Sequence, residues 1–167
     1  MPLIGIIAKE NDISFIKNEI SKYSLKTKFE FVSINDKSLE NIKNITFEAL
    51  IINDRIEELI KTSNYLEDIL KKTKYIILNS DFSGEIRELD NNSIKIITYG
   101  LNRKATITVS SIKEDKVLIC VQRNIENVLN KIIEEQEFNI NICKNNISKT
   151  YNMLAIFTVL CVYDEKI

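Results

Sequence analysis

The stretch from Tyr75 to Ser111 constrains the fold more than any other part of the chain. It holds two apolar runs that each stop at a polar cluster. Tyr75-Ile76-Ile77-Leu78 ends in Asn79-Ser80-Asp81, and Ile94 to Tyr99 ends in Gly100-Leu101-Asn102. Short, nearly continuous apolar runs that finish abruptly at Asn, Asp or Gly are the pattern of parallel strands buried on both faces. The carboxyl ends of such strands open on a ligand crevice.

The same alternation runs back to the N-terminus. Leu3-Ile4-Gly5-Ile6-Ile7 reads as a first buried strand, and Ile13, Ile16, Ile20 and Tyr23 recur at helical spacing after it. Phe29 to Ile34 alternates like a strand, and Leu39, Ile42 and Ile45 make one short helical face. Ala49-Leu50-Ile51-Ile52 is again a buried strand, stopping at Asn53. Ile56, Leu59, Ile60, Leu66, Ile69 and Leu70 line a longer helical segment with a break at Thr62-Ser63-Asn64. Strand and helix at this interval predict an α/β fold, a mostly parallel open sheet with helices on both faces.

After Gly100 the pattern changes. Ala105 to Val109 and Lys116 to Val121 are separated only by a polar turn around Lys113-Glu114-Asp115, which predicts a small antiparallel extension. Ile125, Val128, Leu129, Ile132 and Ile133 have helical spacing, and Phe138 to Ile142 reads as a further strand. Tyr151 to Tyr163 is apolar almost all round, as a deeply buried helix would be, or one that covers a protein partner or a second copy of the chain.

A chain of 167 residues suits one domain. Lys and Arg number 23 against 24 Asp and Glu, a net charge of −1, without a basic block that could follow a phosphate backbone. No nucleic acid or membrane partner is expected. The start lacks a secretory pattern and no run reaches the length of a spanning helix, so the expected location is cytoplasmic. Cys120, Cys143 and Cys161 are widely spaced among apolar neighbours and read as buried thiols. With no His in the chain, no CxxC pair and no marked base, neither a metal site nor a catalytic residue is expected. The polar groups at predicted strand ends and on the last helix, Asn53, Asn79, Asp81, Gly100, Asn102 and Asn152, define the candidate ligand crevice. Taken singly, each is more simply a strand, turn or helix cap; taken together, they mark the crevice.

In order along residues 47–163, the chain resembles the central, nucleotide-binding domain of the Mur ligases, which make peptidoglycan precursors and are related to folylpolyglutamate synthetases. Tyr75 to Asp81 resembles the family strand ending in Asn-x-Asp, and Ile96 to Asn102 the next strand, ending in an aromatic-Gly pair. Ala105 to Ile112 sits where the family has its antiparallel extension. Tyr151-Asn152-Met153-Leu154-Ala155 resembles the closing helix signature, and Ala49 to Asn53 with Glu57-Glu58-Leu59 resembles an earlier strand and loop. The resemblance implies a P-loop-like topology, with ATP and magnesium as cofactors for activating a carboxylate.

The residues that such chemistry requires differ here. The first strand is followed by Ala8-Lys9-Glu10-Asn11-Asp12, with no glycine and two carboxylates where backbone N–H groups and a Lys should meet phosphate. The family's loop His falls near Glu58, its carbamylated Lys near Ile69, and its His-Asn pair near Ser148-Lys149. The family's N- and C-terminal ligase domains have no counterpart in these residues. The expected function is therefore that of a degenerate, non-catalytic relative, without ATP or metal, acting by binding or assembly and linked to cell-envelope precursors. Alternatives are a small nucleotide- or UDP-sugar-binding sensor or enzyme using the same crevice, and a receiver-like or flavodoxin-like fold without the antiparallel extension.

Overall fold

A computed structural model describes residues 1–23, 25–82, 93–113, 116–141 and 147–166, except for the side chains of residues 62, 147 and 148. The chain runs β1 (Leu3–Ile7), α1 (Glu10–Lys22), β2 (Glu30–Ser33), α2 (Leu39–Ile42), β3 (Ala49–Ile52), α3 (Glu57–Thr62), α4 (Asn64–Lys72) and β4 (Tyr75–Asn79). It continues with β5 (Lys95–Tyr99), β6 (Ile107–Ile112), β7 (Lys116–Val121), β8 (Ile125–Glu126), β9 (Ile132–Ile133), β10 (Gln136–Asn141) and α5 (Ile147–Val162). Eight strands form one sheet in the order β10-β7-β6-β5-β4-β3-β1-β2. From β2 to β6 every neighbouring pair is parallel, and β7 and β10 join antiparallel. The sheet is therefore the mostly parallel α/β sheet with the antiparallel extension that the strand pattern predicts, and the alternative without an extension is excluded.

Period-two alternation along each buried strand divides the core into two layers. Ile4, Ile6, Ala49, Ile51, Tyr75 and Ile77 face the layer that holds α1 and α5. Ile7, Leu50, Ile52, Ile76 and Leu78 face the layer of Leu39, Ile42, Leu66, Ile69 and Leu70 from α2 and α4. At Gly5 the strands and their side chains approach closely in that second layer. A Cβ there would lie 2.3 Å from Leu50 Cδ2 and 2.6 Å from Ile34 Cδ1. The break foreseen at Thr62-Ser63-Asn64 is real: Ser63 is extended at φ −155° and its hydroxyl accepts from the Tyr65 amide at 3.2 Å, capping α4.

The last helix is the buried alternative of the two that its composition allows. Every side chain from Thr150 to Tyr163 is buried, packed on α1 and on β4, β5, β6 and β8. A partner or second copy meeting residues 151–163 is thus an expectation that falls on a surface the chain itself covers.

Residues 125–133 are a correction. Their helical spacing does not become a helix but a small hairpin, β8 paired with β9, and only Ile125 of the five is buried, while Leu129 and Ile132 are exposed. The cause is Asn127. Its side-chain oxygen accepts from the amides of Leu129 and Lys131, each at 3.0 Å, and its own amide donates to the Lys131 carbonyl, closing a turn in which Asn130 has φ 57°. Asn side chains compete with helical hydrogen bonds in this way and tolerate left-handed backbone.

Cys161 is buried, as expected, and burial pushes its thiol up to about 12. Cys120 is only half-buried, because β7 alternates between core and surface and places it on the less covered face. Cys143, Ile142 and the turn residues Glu114 and Asp115 lie outside the described residues.

Candidate functional site

The parallel strands end at one edge of the sheet, and their register brings the sequence-predicted polar residues together. Ile52 pairs with Leu78 and Asn79 with Tyr99, so Asn53, one step beyond Ile52, sits beside Asn79 and Tyr99. Asn79 Nδ2 donates to Asn53 Oδ1 at 3.0 Å, and the Tyr99 hydroxyl donates to the same oxygen at 2.8 Å. Asn53 Nδ2 donates to Asn152 Oδ1 on α5 at 2.7 Å, and Asn152 Nδ2 donates to Asp12 Oδ1 on α1 at 2.7 Å. Asn53, Asn79 and Asn152 are all buried, so leaving one of their amides unpaired would be costly, and these bonds offset that cost.

A second, more exposed branch begins where the Asp81 amide donates to Asn79 Oδ1 at 3.0 Å. Asp81 Oδ2 accepts from the Leu101 amide at 2.6 Å and from the Tyr151 hydroxyl at 3.0 Å, while Oδ1 accepts from Asn102 Nδ2 at 2.5 Å. Asn102 Nδ2 also donates to Ser80 Oγ, and Asn102 Oδ1 accepts from the Lys104 amide. Gly100 belongs to this branch by its lack of a side chain. A Cβ would meet Ser80 Oγ at 2.9 Å and the Asp81 carboxyl group at 3.0 Å. All six candidate crevice residues therefore meet at one edge, and the hydrogen bonds of their side chains run to one another, to the side chains of Asp12, Ser80, Tyr99 and Tyr151, and to neighbouring backbone.

Two tyrosines that the sequence pattern did not single out hold this arrangement. Burial, with the Asp12 charge adding to it, raises the Tyr99 hydroxyl well above the usual tyrosine range, so it stays a donor. Burial, and then the hydrogen bond to Asp81, pushes Tyr151 up to about 12. Tyr99 did carry a signal, since it is the last strand residue before Gly100. Tyr151 carried no comparable mark.

Beside the network lies a cavity of about 540 Å³, lined by Lys9, Asp12, Asn53, Asp54, Arg55, Phe82 and Tyr151. Its aromatic wall is the Phe82–Tyr151 pair, with ring centroids 4.8 Å apart and planes at 53°. Lys9 comes from the turn after β1, where only Ala8 and Lys9 separate strand from helix, and Glu10 and Asp12 occupy the first turn of α1. Asp54 and Arg55 follow β3, and the Arg55 amide donates to Asp54 Oδ1 at 2.8 Å. Among the described residues, no group of three or more His, Cys, Asp or Glu side chains is placed to hold a metal ion, and no helix is long and apolar enough to cross a membrane.

No family model matches the chain, and no curated protein sequence matches it. Among solved structures, crystal structure I of MurF from Acinetobacter baumannii is similar to it, with a TM-score of 0.58 and 10% identity over 96% of this chain. The chain spans 42% of the length of that protein. At such identity the likeness is one of fold: the α/β sheet described above is Mur-ligase-like.

Proposed function

We propose that this chain is a non-catalytic, Mur-ligase-like domain that works by binding or assembly, in the cytoplasm and in connection with cell-envelope precursor synthesis. The observation that carries the reading is the turn after β1. A triphosphate is held by several backbone N–H groups converging from a glycine-rich loop, with a Lys and a hydroxyl to complete the charge and metal. Here two residues join strand to helix, and Glu10 and Asp12 lie where the helix N-terminus would otherwise attract an anion. Asp12 is also tied to Asn152. The turn does not fit phosphates, and Ile69, near the family's carbamylated Lys, is buried in the core.

Assembly, in this reading, uses a face other than residues 151–163. Isothermal titration of the purified chain with ATP, with and without magnesium, tests it. No binding is expected, and micromolar, magnesium-dependent binding would overturn the proposal.

The cavity at the strand ends favours a second reading, a sensor or small enzyme for a nucleotide or UDP-sugar. On that reading such ligands raise the melting temperature and Asp81→Asn abolishes the rise. A broad panel without any shift counts against it.

A further inference from the structure

The cavity has a lining that the poor fit to phosphate does not explain. Lys9 and Arg55 both line it, and among the described residues neither side chain has a hydrogen bond or ion pair. Its two carboxylates, by contrast, are engaged: Asp12 accepts from Asn152 and Asp54 from the Arg55 amide. Phe82 lines the cavity and is 38% exposed, so part of its ring is available to a ligand. Tyr151 beside it is anchored by its bond to Asp81, so one of the two rings of the aromatic wall is held in place before any ligand arrives.

We propose that this cavity binds a small organic acid in which a flat ring carries a single carboxylate. The carboxylate meets Lys9 and Arg55, the latter with a planar fork suited to two parallel hydrogen bonds. The ring lies against Phe82 and Tyr151, where stacking adds to burial. Charge argues for one: among the described residues the lining carries two cations and two carboxylates, so it has no surplus positive charge to hold a polyphosphate, whereas a single carboxylate can take both unbonded cations. A cavity of about 540 Å³ falls in the range of small-molecule sites and accommodates a ring with a short acidic arm. This rests on the non-catalytic reading, because a working triphosphate site would claim the same space.

Amide NMR of the full chain, titrated with phenylacetate, acetate, phenyl phosphate and magnesium-ATP, tests the proposal. Phenylacetate is expected to saturate at roughly millimolar concentration, as a ligand of its size does, with shifts at Lys9, Arg55, Phe82 and Tyr151. Acetate is expected to give no saturable shift. The double variant Lys9→Met, Arg55→Met weakens phenylacetate about 10-fold or more, and Phe82→Ala weakens it about 3-fold. The replaced side chains are exposed, so shift dispersion is expected to stay native. Failure of phenylacetate to saturate, indifference to the double variant, or tighter binding of phenyl phosphate would each overturn the inference. Silence from both phenylacetate and ATP removes this inference alone, whereas micromolar ATP binding removes the non-catalytic reading beneath it.

Discussion

The strand ends of β3, β4 and β5 and the cavity wall formed by Lys9 and Arg55 occupy the same edge of the sheet, yet their polar groups behave oppositely. Asn53, Asn79 and Asn152 are buried and bonded to one another, to Tyr99 and to Asp12. Lys9 and Arg55 are exposed, with side chains unbonded among the described residues. Polar residues at strand ends are thus not one population. Those that are buried hold the scaffold closed, and those that are exposed and unengaged are the groups able to meet a ligand.

The sharpest way to break this contrast is Asn53→Ala. It strands Asn79 Nδ2, the Tyr99 hydroxyl and Asn152 Oδ1 together, and the expected loss is about 3 kcal/mol or more in denaturant unfolding. A loss under about 1 kcal/mol would show that the network is dispensable, and with it the scaffold role.

Gly100→Ala comes next, at about 2 kcal/mol, because the new Cβ meets Ser80 and Asp81 at 3.0 Å or less. A neutral result would mean that Ser80 and Asp81 can shift at no cost, so that this branch of the network is not rigid.

Tyr151→Phe removes one bond to Asp81 and should cost about 1 kcal/mol near neutral pH. The folded hydroxyl has its pKa raised to about 12, so its contribution is complete below the ordinary tyrosine range and is lost as pH rises through that value. The gap between wild type and variant should therefore shrink in alkali, and thermal unfolding against pH measures it. A gap that stays constant to high pH would mean that the hydroxyl does not depend on Asp81.

The smallest effect belongs to Lys9→Met and Arg55→Met, each expected within about 0.5 kcal/mol of wild type by chemical denaturation. A loss comparable to that of Asn53→Ala would assign these two side chains to the scaffold as well.

Much of this edge is legible in the sequence. Apolar runs stopping at Asn53, at Asn79 and at Gly100 place three strand ends correctly, and Asn152 follows from its place in the last helical segment. The partner of each group is not legible there. Asn53 and Asn152 are 99 residues apart in sequence, and only the packing of α5 over the sheet brings them within 2.7 Å. Arg55 and Phe82 escape notice because a charged turn residue and an exposed phenylalanine have no local pattern. Residues 125–133 mislead for a local reason, since their apolar spacing suggests a helix while the backbone follows the turn-forming Asn127 and Asn130.

Most of the layers come from the sequence alone: the strands of the main sheet, the parallel core with β1, β3 and β4 buried on both faces, and the antiparallel hairpin that follows Gly100. Periodicity encodes burial, and burial is a property of each element taken singly. Which polar groups satisfy one another, and which line the cavity without a bond, is settled by tertiary packing. Hydrogen bonding among buried side chains depends on register between strands and on where a distant helix lands. No short window of residues contains either.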